Sequence, residues 1–549
     1  MDKKKIIVAL IAVAILGVLA WYGSADRRMK VGIPEKGTVN LNAPPSGDMR
    51  QATLSEIVDL KDGQSIDLAI TPVKKTIAGR TVKMFGYDGS IPGPTLRIPE
   101  GSEITVNLKN GGDIATTLHA HGVRMDNPFD GVPGVTQKEI APGGSFAYKL
   151  KFTDPGAFWY HPHVRTDYAL ESGLYANIIV TPKDSGYFPP ANREVPLMLD
   201  DIALDKDGML PFDAKVTDHA LMGRFGNVML VNGETDYRLQ ARQGEVVRLY
   251  LTNAANTRLF NFTLPGVKMK LVGADVGRYE KETFVDGVLV APGERRVVDV
   301  LFEKAGEYAM KHRTPDKEYA LGAVSVSFES ASPSYAGEFS VLRTNASVVS
   351  ELEGLMDAYL AKSPDKSLNL SLDMDQEMRQ GMPMGMHSMG GGGMAMSDKD
   401  MGMPARQGGG DDGDALEWED TMAGMNARST SDMLEWKLVD GATGKANADI
   451  DDWNFRTGDK VKIRIFNDPK SLHPMQHPVH FHGQRFMVLS TNGVKNDNPA
   501  WVDTTLVATG DTVDILLDAS NPGTWIAHCH ILEHAESGMM FSFTVGKTE

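Results

Sequence analysis

Cysteine is nearly absent. Among 549 residues there is one, Cys529. A single thiol cannot form an internal bridge, so the disulfide framework common in exported proteins is excluded and stability must come from packed cores and bound metal. Excess positive charge is missing too. The formal net charge is -16, which argues against nucleic acid or an anionic membrane surface as partner and suits the attraction of cations. Long helical patterns are also few. The body of the chain reads as short alternating strands separated by Gly, Pro, Asn and Asp turns, an all-β class.

One uncharged run interrupts this pattern, from Ile6 to Tyr22. Lys3, Lys4 and Lys5 precede it, and Asp26, Arg27, Arg28 and Lys30 follow. Residues 1–25 are thus predicted to be an export signal or membrane anchor, a hydrophobic helix leading into a polar linker at 26–49. Val18-Leu19-Ala20 and Gly23-Ser24-Ala25 both offer small residues for cleavage; left uncut, the run barely spans a bilayer. The lysines stay in the cytoplasm and the body crosses, which predicts an extracytoplasmic protein, periplasmic or at the cell surface. No twin arginine precedes the run, and no early cysteine is there to carry a lipid.

Three segments share one design: Gly101 to Asn110, Gly244 to Asn253 and Gly458 to Asn467, each a turn glycine, an alternating strand and an asparagine nine residues later. Each copy is followed by a second landmark, at Ala141-Pro142-Gly143, Ala291-Pro292-Gly293 and Thr509-Gly510. A third landmark runs Pro155-Gly156 to His161, Ala305-Gly306 to His312 and Pro522-Gly523 to His528. Three copies predict three domains, placed at 50–185, 186–345 and 346–549.

Ten of the 14 histidines fall into four clusters. These are His119/His121 in LHAHG, His161/His163 in WYHPH, His477/His480/His482 in HPVHFHG, and His528/His530/His534 around Cys529. A thiolate, an imidazole and a distant thioether are blue-copper ligands, and a second imidazole completes the set. Cys529, His534, Met539 and His477 supply these. If Cys529 binds through sulfur, His528 and His530 point away toward another centre. With His119, His121, His161, His163, His480 and His482 they make eight imidazoles, enough for three copper ions. The middle copy has Leu259-Phe260-Asn261-Phe262 where the first has His119-Ala120-His121, and Lys311 five residues after its glycine; it keeps the repeat without the ligands.

These motifs, their order and their spacing resemble the multicopper oxidases, over roughly residues 50 to 549. The resemblance implies three consecutive cupredoxin-like Greek-key domains and four copper ions, with O2 reduced to water at a trinuclear cluster. It implies that His477, Cys529, His534 and axial Met539, preferred over Met540, hold the type 1 copper. It also implies His119 and His480 for type 2, and His121, His161, His163, His482, His528 and His530 for the type 3 pair. Asp130, in NPFDGVPG, matches a family aspartate near the cluster and is the candidate proton relay; as a bare residue it is also an ordinary turn former before Gly131.

Residues 374–425 hold twelve of the 29 methionines among Gly, Asp and Gln. No helical or strand period fits, so the stretch is expected to be exposed. Thioether is a soft ligand that selects Cu(I), which makes Met382, Met384, Met386 and Met389, with Met475 beside His477, candidate Cu(I) contacts. Such an insertion resembles the cuprous-oxidase, copper-resistance branch of the family. His473 stands where that branch tends to have aspartate, and His387 is nearly alone in a stretch often rich in histidine there. The expected substrate is Cu(I). The open alternatives are a laccase-like oxidase of phenols or aromatic amines, oxidation of Mn(II) or Fe(II), and a protein that sequesters copper without turnover.

Overall fold

The computed structural model describes residues 48–381 and 415–547. The export or anchor segment at 1–25, nearly all of the linker, and Met382, Met384, Met386, His387 and Met389 lie outside the described residues. Among those described, no helix is long and apolar enough to cross a membrane.

Among the described residues, six sheets form three consecutive pairs along the chain. The three repeated segments become the strands Glu103–Asn110, Glu245–Asn253 and Asp459–Asn467. Each lies parallel to an earlier strand: Ser65–Ile77, Arg193–Ile202 and Lys366–Met374 in turn. Each lies antiparallel to a later one: Ser145–Lys151, Arg295–Phe302 and Thr512–Ala519. The period of two sends Ile104, Val106 and Leu108 into the core while Glu103 and Lys109 face water. Glu245–Asn253 departs from that alternation and is buried throughout. Its outer side packs against the first pair, where Tyr250, Val272 and Val297 meet Ala157 and Ile179.

The asparagine closing each repeat has one job in all three places. Asn110 Nδ2 donates to the carbonyls of Ile114 and Ile140, Asn253 Nδ2 to those of Arg258 and Val290, and Asn467 Nδ2 to those of Met475 and Val507. One side chain thus ties two neighbouring segments together at the same end of each sheet pair by donating to a backbone carbonyl of each. That end carries the histidine motifs. The first and third pairs share a single buried cluster containing Leu118 and Tyr160 with Val479, Phe481 and Phe543, whereas the middle pair has its own around Leu249, Phe262 and Val298.

The methionine-rich stretch is packed at both ends. Met374 ends a strand, Met378 sits on the short helix Gln376–Gly381, and these two with Met422 are buried in the shared cluster. For these three the expectation of exposure fails: methionine's flexible, polarisable side chain fills the irregular gap at a sheet end.

Candidate metal centre

His119–His121 is a short edge strand paired with Gly156–His161, so that His119 lies opposite His161. In the third pair His477–Phe481 lies against Gly523–Cys529, so that His480 faces His528 and Val479 faces Cys529. The two ends then meet. The His119 and His482 rings stack at 4.0 Å, and those of His121 and His480 at 3.7 Å. In the middle pair the residue opposite Phe262 is His312, one beyond Lys311. It is buried, its Nδ1 accepts the Asn261 amide at 3.0 Å, and burial depresses its pKa to about 3.

The eight imidazoles divide into three groups whose ligand atoms lie within 4.8 Å of one another: His121, His161 and His530; His163, His482 and His528; and His119, His480 and the shared His121. On five of them the outer nitrogen is hydrogen-bonded, whereas neither ring nitrogen of His530 has a partner. His119 Nδ1 donates to the Asp130 carbonyl, His161 Nδ1 to the Pro162 carbonyl, His480 Nδ1 to the Asp503 carbonyl and His528 Nδ1 to the Cys529 carbonyl. His482 Nδ1 donates to Asp130 Oδ2 at 2.9 Å. Each such bond fixes the tautomer and turns the other nitrogen's lone pair inward.

Inside, Nε2 of His119, His161, His163, His480 and His530 and Nδ1 of His121 have no hydrogen-bond partner, while Nε2 of His482 and His528 face each other at 3.1 Å. A buried polar atom without a partner costs about 1–3 kcal/mol, and so many converging lone pairs fit a set of cations. Burial, reinforced by the neighbouring rings, holds His121, His161, His163, His482 and His530 well below the ordinary histidine pKa, and takes His528 to about 3. Neutral imidazole is the form that binds metal.

The second centre is equally enclosed. Cys529 Sγ lies 3.5 Å from His477 Nδ1 and 3.9 Å from His534 Nδ1, and the two nitrogens are 3.3 Å apart. Burial raises the Cys529 thiol and lowers His477 to about 3. Met539 is fully buried, and its carbonyl accepts the Cys529 amide at 3.1 Å. Met475 is also fully buried, with its carbonyl on Asn467. His473 is nearly so, its Nε2 has no partner, and burial takes its pKa to about 4.

Several residues at these centres gave no sign in the sequence. Trp436 stacks on His534 at 4.1 Å and meets His477 edge-on at 4.9 Å. Gln476, between Met475 and His477, accepts from the Glu417 amide and donates to its carbonyl, anchoring the later part of the methionine-rich stretch beside this centre. Asp503 contacts His121 Nε2 at 3.0 Å. Burial pushes its carboxyl up, but the Arg295 guanidinium and the His121 ring together outweigh burial and hold it well below the usual carboxylate range. None of the four belongs to a spaced motif, although Gln476's position beside His477 was a local hint.

Multicopper oxidase family profiles match residues 69–185, 194–327 and 420–549, together more than half of the chain. The chain belongs to the multicopper oxidase family and is an oxidoreductase. The family carries four copper ions, one type 1, one type 2 and a type 3 pair, and the histidine groups are compatible with that number.

Among its relatives is multicopper oxidase MmcO of Mycobacterium tuberculosis, 25% identical over 87% of this chain and 86% of that one. A copper resistance protein A homolog of Pseudomonas syringae pv. tomato is also 25% identical, over 87% and 91%. The match to another copper resistance protein A of that pathovar, 27% identical, spans 50% of this chain and 52% of the relative. In fold the chain is similar to a metallo-oxidase, the multicopper oxidase from Campylobacter jejuni, with a TM-score of 0.65 at 21% identity, covering 93% of this chain and all of the other.

Proposed function

We propose that this protein oxidises Cu(I) one electron at a time and passes the electrons to O2, which is reduced to water, in copper tolerance outside the cytoplasm. The supporting architecture is three cupredoxin-like domains at 50–185, 186–345 and 346–549, of which the first and third supply the ligands. His477, Cys529, His534 and Met539 hold the type 1 copper. His119 and His480 hold type 2, and the two triads of His121, His161, His530 and His163, His482, His528 hold the type 3 pair. Bound there, copper supplies one-electron acceptance at one centre and multi-electron O2 reduction at the other.

The observation that carries this reading is the placement of Cys529. Its sulfur belongs to one centre, while His530 and His528 on either side belong to two different triads of the other. The chain's own residues do the rest. Asp130 fixes His482 through its carboxylate and His119 through its carbonyl, spanning both halves, and is the acidic group placed to relay protons. For the substrate, support comes from softness: Met475 two residues before His477, the methionines at 382–389, and relatives named for copper resistance.

The test compares oxidation of Cu(I), Fe(II) and a phenol under identical conditions, in the full chain and in one lacking 382–414, a cut that leaves buried Met374, Met378 and Met422 in place. Cu(I) should be the best substrate and should suffer more than the phenol from the deletion. Fast phenol turnover without added copper, or equal losses for both, would favour a laccase-like enzyme instead. Binding of Cu(I) without O2 uptake would favour sequestration.

A further inference from the structure

The middle sheet pair contributes no ligand to the histidine cluster, yet one of its turns lies against that cluster. Gly293 packs on His530: a Cβ there would come within 2.8 Å of the ring, so at this contact only glycine fits, in a backbone with φ of +83°. Two residues on, Arg295 is fully buried, and its guanidinium touches all three pairs. Nη1 donates to Asp503 Oδ1 at 2.7 Å and to the Gly293 carbonyl at 3.0 Å, Nη2 donates to Asp503 Oδ2, and Nε donates to the Ala157 carbonyl at 2.9 Å. Asp275 secures the same junction from behind. Its Oδ1 accepts the Arg295 amide at 2.7 Å, and its Oδ2 accepts those of Asp503 and Thr504, both at 3.3 Å. Gly122, beside His121, completes the fit, since a Cβ there would lie 2.2 Å from Asp503 Oδ2.

What this junction reaches is His121. Four of the other cluster histidines donate from Nδ1 to a backbone carbonyl and turn Nε2 inward. His121 is reversed. Its Nε2 meets Asp503 Oδ1 at 3.0 Å and Thr504 Oγ1 at 3.1 Å, and its Nδ1 is the nitrogen without a partner. An ionised carboxylate only accepts, so Nε2 must carry the proton and Nδ1 the lone pair. The inward nitrogen of His121 is therefore set by how Asp503 is held, and Asp503 is held by a paired guanidinium fork.

We propose that Arg295 is a positioning residue for the histidine cluster: by clamping the Asp503 carboxylate it fixes His121 with Nδ1 as its ligand atom, so that the ligand-free middle pair sets the geometry of the site between the other two. The proposal rests on the multicopper oxidase reading of that cluster. Lysine cannot reproduce the fork, because its ammonium is a point charge that cannot span both carboxylate oxygens together with the Gly293 and Ala157 carbonyls.

The test is Arg295→Lys, with Asp503→Asn as a second variant that keeps the size and one acceptor oxygen but removes the charge. Both are loaded with copper and compared with the wild type by metal content under chelator competition, by electron paramagnetic resonance, and by the near-ultraviolet absorption of the coupled pair. The blue absorption from the Cys529 centre and the melting temperature serve as internal controls. Copper at the cluster should be held about 10- to 100-fold more weakly in both variants, with the coupled-pair absorption reduced and the blue absorption kept. Wild-type affinity and spectra in either folded variant would overturn the proposal. If Arg295→Lys fails to fold, Asp503→Asn decides alone. A wild-type protein that binds fewer than four coppers would instead sink the underlying reading of the site, a result distinct from either.

Discussion

Replacing Asn253 by alanine isolates what the repeated asparagine does more cleanly than its counterparts, because the middle pair itself supplies no ligand to either centre. The substitution removes two donated bonds of 2.8 Å, to the carbonyls of Arg258 and Val290, and one of 2.9 Å accepted from the Ala255 amide. Asn253 is fully buried, so water does not replace them readily. At about 1 kcal/mol for each bond, and more where a buried carbonyl is stranded, the expected cost is about 3–5 kcal/mol. For a cooperative unit of this size that is a drop of roughly 10 °C in melting temperature. The assay is calorimetry of the copper-loaded protein at one fixed scan rate, since a chain this large is expected to unfold irreversibly. Asn467→Ala is the companion. It frees the Met475 and Val507 carbonyls, and Met475 leads directly into His477, so this variant should weaken the blue absorption as well as the fold. Asn253→Ala should leave that absorption intact. A melting temperature within about 1 °C of wild type for Asn253→Ala would refute the loop-tying role.

Cys529→Ser should abolish the blue absorption and oxidase activity while far-ultraviolet dichroism and the three cluster coppers remain; a variant that still turns over would show that electrons enter elsewhere. Glu171→Gln tests a buried acid. Burial lifts the Glu171 pKa from 4.5 to about 8, against the pull of Arg224. The native state keeps a proton that the unfolded chain releases between those values, so wild-type stability falls as pH rises through the window, by at most about 5 kcal/mol at pH 8. The amide retains the acceptor for the Ala203 amide, so the variant's melting temperature should change less between pH 5 and 8 than the wild type's. Parallel curves would refute it.

What the sequence made legible was what covalent spacing determines. Glycine, strand and asparagine nine residues on gave the three sheet pairs, and the two-residue spacing put His119 and His121 on one strand and His482 just past the strand that holds His480. The grouping of six imidazoles into two triads was not readable, because it depends on two sheet ends meeting so that His121 stacks on His480. Asp503 and Arg295 were invisible for the same reason. Each acts through a contact more than 200 residues away, 208 for the pair itself and 382 from Asp503 to His121. Reading residues 374–425 by composition misjudged Met374, Met378 and Met422, because the burial of a thioether is decided by the gap it fills. The middle copy was read through Lys311, whereas strand pairing sets His312 opposite Phe262.

The bond between Asp130 and His482 joins positions 352 residues apart. At ordinary rates of translation, roughly 5–20 residues per second, the first half of the ligand set leaves the ribosome some 20–70 s before the second half exists. Throughout that interval LHAHG and WYHPH are a half-built chelator with no facing rings. The finished cage can close only after HCHILEH has been made, so correct metal loading belongs to the completed polypeptide, and ions captured earlier would meet an incomplete coordination shell.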